Sequence, residues 1–133
     1  MKPKDVDLHL IFRYSEIESP YLENLVKRVI ARIDDRVDWE VVDLGVLGEG
    51  TISGEAGEVT EDGDVNFSPG RLLRYDDDDV AMAIAAHELA HRILSHHERP
   101  SQGVTNDDAA DALAEEWGFD IDKMRQVYGS AAE

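Results

Sequence analysis

Apolar positions along this chain recur in two rhythms, and each rhythm predicts a different element. Val6, Leu8, Leu10, Phe12 and Tyr14 alternate with more polar neighbours, a period of two that predicts a half-buried strand, with a helix running on through Ile17 as the competing element. His9 lies on the polar side of that alternation and reads as a solvated residue. From Ser19-Pro20 the rhythm changes: a cap and a proline at the first helical position precede Tyr21, Leu22, Leu25, Val26, Val29, Ile30 and Ile33 at helical spacing. Trp39 to Leu47 is rich in Val and Leu and ends in glycines, which predicts a strand entering a turn.

Between Gly48 and Gly63 the chain is rich in Gly, Glu and Thr, with short candidate strands at Thr51-Ile52-Ser53 and Glu58-Val59-Thr60. Asp62-Gly63 predicts a two-residue hairpin turn before Asp64-Val65-Asn66-Phe67, and Pro69-Gly70 closes the sheet, with Arg71 to Tyr75 as a connector. Asp76 to Asp79 crowd carboxylates at the start of a long helix reaching from about Val80 to His97, where the helix dipole favours them over a calcium-binding role. Pro100 and Gly103 then turn the chain into a second helix, capped by Thr105 or Asn106, with a stripe of Ala110, Leu113, Ala114 and Trp117. Asp120 to Tyr128 reads as a short amphipathic helix on the core that carries no chemistry. The sum is a single α+β domain over residues 1–133, with a small mixed or antiparallel sheet packed on an N-terminal helix and on the long central one.

Composition narrows the partners. A net charge of −17 over 133 residues repels nucleic-acid phosphates and anionic membranes, so neither is expected as a partner, while basic or unfolded polypeptides remain compatible. The apolar runs are too short to span a bilayer, and the N-terminus lacks the apolar core of a signal peptide, which together predict a cytoplasmic protein. Nine arginines against four lysines, with abundant Asp, is a bias associated with adaptation to high salt. Cysteine is absent, so any metal must be held by His and carboxylate.

Within the long helix stands His87-Glu88-Leu89-Ala90-His91. Residues four apart are separated by about 400° of rotation, so the two imidazoles project from one face, one turn apart, as a two-histidine chelate requires. Glu88 points partly off that face, where it reaches a water without ligating the metal. A catalytic tetrahedral zinc takes three protein ligands and leaves one position open, so this helix is one ligand short. Asp107 and Asp111, four apart at the start of the following helix, offer carboxylates on one face.

These residues resemble the gluzincin zinc metallopeptidases, in which HExxH is followed by GxxNExxSD. His87 to His91 match the first motif, and Gly103, Asn106 and Asp111 match the second at its spacing. The resemblance covers roughly residues 64–119 and extends to small phage and prokaryotic metallopeptidase-like proteins, minimal units with a sheet before the active helix. It implies that His87 and His91 ligate Zn2+, that Asp107 stands at the third ligand and that Asp111 orients the first histidine. Asp107 replaces the family's Glu, shortening the reach by one methylene; the helices must then lie closer together, and Asp108 or Asp111 stays open as the ligand. Ala110 replaces a small hydroxyl residue.

The activity so implied is zinc-dependent hydrolysis of a polypeptide substrate through a zinc-activated water, with Glu88 as general base. Val65, Asn66, Phe67 and Ser68, just before the active helix, resemble the edge strand that aligns an extended peptide. No oxyanion-stabilising group stands out; Tyr75, Tyr128, His96 and His97 are the candidates. The alternatives are an inactive zinc-binding module and an acidic protein-interaction domain with a chance HExxH.

Overall fold

The computed structural model describes residues 2–42, 44–75, 77–95, 98 and 103–128. His96, His97 and Pro100, and the side chain of Tyr128, lie outside the described residues. The first departure from the alternation is at the N-terminus. Asp7 accepts a hydrogen bond from the His9 amide at 3.0 Å and caps a four-residue helix, α1 (Leu8–Ile11), before a two-residue strand, β1 (Tyr14–Ser15). Leu8, Ile11 and Phe12, spaced as a helix spaces them, are buried, whereas Leu10 is 81% exposed. A local cap has overridden the period of two, which the helical spacing 8, 11, 12 fits equally well.

Helix α2 (Pro20–Ile33) starts where the sequence predicts. Ser19 Oγ accepts the Leu22 amide at 3.3 Å, Pro20 stands in the first turn, and Leu22, Leu25, Val26, Val29, Ile30 and Ile33 are fully buried. The expected strand from Trp39 shrinks to β2 (Val46–Glu49): residues 39–41 form a turn, the Trp39 indole donates to Asp34 at 3.0 Å, and Val41 faces solvent. Residues 51–53 are not a strand either. The Ile52 and Ser53 amides, which a ladder would use, donate instead to the Glu58 carboxylate, each at 2.9 Å.

Strands β3 (Gly57–Val59) and β4 (Val65–Phe67) pair antiparallel, and the turn between them carries Gly63 at φ +86°. Asp62 has no positive φ, so Thr60 to Gly63 is an ordinary turn followed by a left-handed glycine rather than the expected two-residue turn. The sheet order is β1-β2-β4-β3, with β1 and β4 each parallel to β2. Pro69 does not simply end the sheet: Ser68 caps a short helix, α3 (Pro69–Leu72).

Helix α4 (Asp78–Ile93) is the axis of the molecule. Asp77 caps it through the Asp79 amide, Asp78 pairs with Arg28 at 3.2 Å, and every residue from Val80 to Ala90 is buried. It packs against α2, β3 and β4, and against α5 (Gly103–Glu116) and α6 (Ile121–Tyr128). Ala81, Ala83, Ala85, Ala86 and Ala90 are what permit so many neighbours, because small side chains let backbones approach. The helix stops at Ile93, short of His97, with Ser95 in the left-handed region at φ 58°. Helix α5 begins at Gly103, a turn earlier than a cap at Thr105 or Asn106 would allow, and buries Asn106, Asp107, Ala110 and Ala114, with Trp117 buried just past its end. Gly118, at φ +96°, ends it and sends α6 back against α4. Among the described residues, no helix is long and apolar enough to cross a membrane.

Candidate metal centre

Helical spacing places His87 and His91 one turn apart on α4, and their rings meet edge to face with centroids 4.4 Å apart. The two Nε2 atoms converge to 3.0 Å. Asp107 Oδ1, arriving from α5, lies 2.7 Å from His91 Nε2 and 3.3 Å from His87 Nε2. Two imidazole nitrogens and one carboxylate oxygen therefore form a near-equilateral triangle. Ligands at about 2.0–2.2 Å from a tetrahedral zinc stand roughly 3.3–3.6 Å from one another, so a slight outward movement of these three admits the ion. The residues fit such a group.

The shorter Asp107 side chain reaches the histidines across the packed α4–α5 pair, in which Ala83, Ala86 and Ala90 on α4 and Ala110 and Ala114 on α5 are small and buried. Asp108 is exposed and stands outside the triangle. Asp111, one turn beyond Asp107, places Oδ1 2.7 Å from His87 Nδ1. A carboxylate only accepts, so Nδ1 carries the hydrogen and Nε2 is directed at the triangle.

Without a metal, the carboxylates around His87 favour its charged form. Burial by itself would lower the His87 pKa, but hydrogen bonds to Asp107 and Asp111, with the charges of Glu88 and Asp111, outweigh it and raise it to about 9. Burial would raise the Asp107 carboxyl, but hydrogen bonds from His87 and His91, with their charges, hold it well below the usual carboxylate range. Asp111 is lowered likewise, its own burial being outweighed by hydrogen bonds from His87 and from Arg125.

Glu88 lies beside this cluster and is buried. Burial raises its pKa; His87 and His91 pull it down, Asp107 and Glu58 push it up, and the outcome is a carboxyl raised above its ordinary value. That shift moves it toward the range in which a carboxyl both takes and returns a proton near neutral pH. The neighbour that makes room for it is Gly57 on β3. A Cβ there would stand 2.8 Å from Glu88 Cγ and 3.1 Å from the Phe67 ring. Gly57→Ala is expected to destabilise the fold by about 1–3 kcal/mol through overpacking, read as a lower thermal unfolding midpoint. An unchanged midpoint would mean that Glu88 swings aside freely.

Val65, Asn66, Phe67 and Ser68 do not form the expected peptide-aligning edge. β4 is an inner strand, bonded to β2 on one side and β3 on the other, so its backbone groups are already paired. Val65 and Phe67 are fully buried, the Asn66 amide donates to Glu58 at 2.9 Å, and Ser68 is a helix cap. The outer strand on this side is β3, which packs along α4 beside Glu88. Of the oxyanion candidates, Tyr75 is half-buried against the core, while His96, His97 and the Tyr128 side chain lie outside the described residues.

Two residues of the site escaped the sequence reading. Gly57 carries no motif. Arg125 had a signal: Ile121, Met124 and Arg125 occupy positions i, i+3 and i+4 of α6, which puts a guanidinium on the helix's buried face. Arg125 donates from Nε to Asp111 Oδ2 and from a terminal nitrogen to Oδ1, both at 2.8 Å. Comparison with family models, with curated proteins and with solved structures finds no match to the chain.

Proposed function

We propose that the protein is a zinc-dependent metallopeptidase of gluzincin type, with His87, His91 and Asp107 as ligands and Glu88 as general base. The observation that carries this reading is the triangle of His87 Nε2, His91 Nε2 and Asp107 Oδ1, with edges of 2.7 to 3.3 Å beside a buried carboxyl. Two imidazoles and one carboxylate, with no thiolate in the chain, are a donor set suited to zinc, and three protein ligands leave a coordination position for chemistry. Zinc bound there supplies Lewis acidity, lowering the pKa of a water and polarising a peptide carbonyl.

The chain's own residues do the rest. Glu88, with its pKa raised by burial, takes the proton of the attacking water and returns it to the departing amine. Asp111 keeps the His87 ring turned so that Nε2 faces the centre. The outer edge of β3 offers backbone groups to an extended peptide alongside Glu88, the alignment that β4 is too well paired to provide.

Elemental analysis of protein purified with zinc supplied tests the reading. About one zinc per chain is expected in the parent, and its loss in both His91→Ala and Asp107→Ala, since a three-ligand site does not survive removal of one ligand. A parent that takes up no zinc would overturn the peptidase reading and leave an acidic interaction domain.

A further inference from the structure

Arg125 sits where a cation has no obvious reason to be. It is on the helix that carries no catalytic motif, its side chain is only 16% exposed, and it grips a carboxylate that already accepts from the ring of a metal-ligand histidine. Both Asp111 oxygens are taken: Oδ2 by Arg125 Nε, and Oδ1 by a terminal guanidinium nitrogen and by His87 Nδ1. A fork of this kind fixes the plane of a carboxylate as well as its distance, which a single hydrogen bond from His87 does not. Asp111 without it has a side-chain torsion free to turn toward water.

Contacts other than this one also hold α6 in place. Ile121 and Met124 are buried in the core, and Lys123 pairs with Asp77 at the start of α4. The guanidinium is thus an addition to a helix already held.

We propose that Arg125 is a positioning residue of the metal centre: by clamping Asp111 in plane, it aims His87 Nε2 at the ligand triangle. This rests on reading His87, His91 and Asp107 as a zinc site, and it predicts coupling rather than a simple loss. Removing an outer partner of a metal-ligating histidine typically costs about 10–100-fold in metal affinity. Arg125→Gln is expected to weaken zinc binding by that order, Asp111→Asn by a similar factor, and the double variant by no more than the larger single effect. Arg125→Lys keeps the charge and loses the fork, so an intermediate affinity is expected.

The test is a zinc competition titration on the parent, the three single variants and the double variant, with proton NMR of the metal-free proteins. In the metal-free parent the His87 Nδ1–H is expected as a slowly exchanging downfield resonance, held by Asp111; in Arg125→Gln it is expected to broaden or vanish while the fold persists. The proposal is overturned if that resonance and the zinc affinity are unchanged in Arg125→Gln, or if Arg125→Gln weakens zinc as much on the Asp111→Asn background as in the parent. Should Arg125→Gln fail to fold, the same two readouts on Arg125→Lys decide, unchanged values overturning the proposal. A parent that binds no zinc sinks the zinc reading separately; the Nδ1–H resonance then decides for or against Arg125, since it needs no metal.

Discussion

Glu88→Gln is expected to reduce peptide hydrolysis by about 10²–10⁴-fold while zinc content stays at the parent's level, because it removes a proton carrier and no ligand. The substitution has a second expected signature. Burial holds the Glu88 carboxyl above its ordinary pKa of 4.5. Below that value both folded and unfolded chains keep the proton; above it the unfolded chain ionises readily and the folded one resists, so this residue subtracts stability as pH rises from about 4.5. Glutamine, similar in shape and without the charge, removes that penalty. The metal-free variant is therefore expected to unfold at a higher temperature than the metal-free parent at pH 7. Loss of activity with a gain in stability marks a residue retained for chemistry, whereas an HExxH present by chance would give neither a hydrolysis to lose nor a reason to bury an acid at a cost in stability.

What the sequence made legible was whatever depends on local spacing. Ser19-Pro20 and the apolar positions behind it specify α2 because cap, proline and stripe agree. His87, His91, Asp107 and Asp111 were legible for the same reason: each pair is four apart on a helix, and only the approach of two helices had to be supplied by the fold. The buried alanines of α4 and α5 supply it, and with it the reach that Asp in place of Glu had put in question.

The illegible parts depend on non-local choices. Val6 to Tyr14 fits a strand or a helical turn equally well, and the Asp7 cap decides. Thr51 to Ser53 has strand-like residues whose amides are claimed by Glu58 from across a turn, a carboxylate held near a pKa of about 2, where hydrogen bonds from Asn66, Ile52 and Ser53 outweigh its burial. β4 stands shortly before α4 in sequence, where an aligning strand is expected, yet which strand lies at an edge is a property of sheet order, and β3 folds back to the outside. Arg125 belongs between these cases: its buried-face position is visible on a helical wheel, but its partner Asp111 is on another helix.

Zinc affinity is expected to rise about tenfold per pH unit between pH 6.5 and about 9, and to level off above that, because His87 must surrender a proton before it can ligate. In the metal-free protein burial opposes the charged ring, but hydrogen bonds to Asp107 and Asp111, with the charges of Glu88 and Asp111, outweigh it and raise the His87 pKa from 6.5 to about 9. The sign for stability is opposite. A base whose folded pKa lies above its unfolded value contributes stability fully below pH 6.5 and loses it as pH climbs through about 9, so the metal-free unfolding midpoint falls over the window in which zinc binding strengthens. The gap in midpoint between zinc-loaded and metal-free protein therefore widens with pH across that window. Asp107→Asn removes the largest single contact that holds the proton and leaves those of Asp111 and Glu88, so the metal-free midpoint of that variant is expected to lose part of its pH dependence above pH 6.5. Competition titrations of the parent at pH 7 and 8.5, expected to differ by about 30-fold, measure the slope directly. A slope near zero would mean that the free site holds no proton, and that the three atoms are arranged for something other than exchanging a proton for a cation.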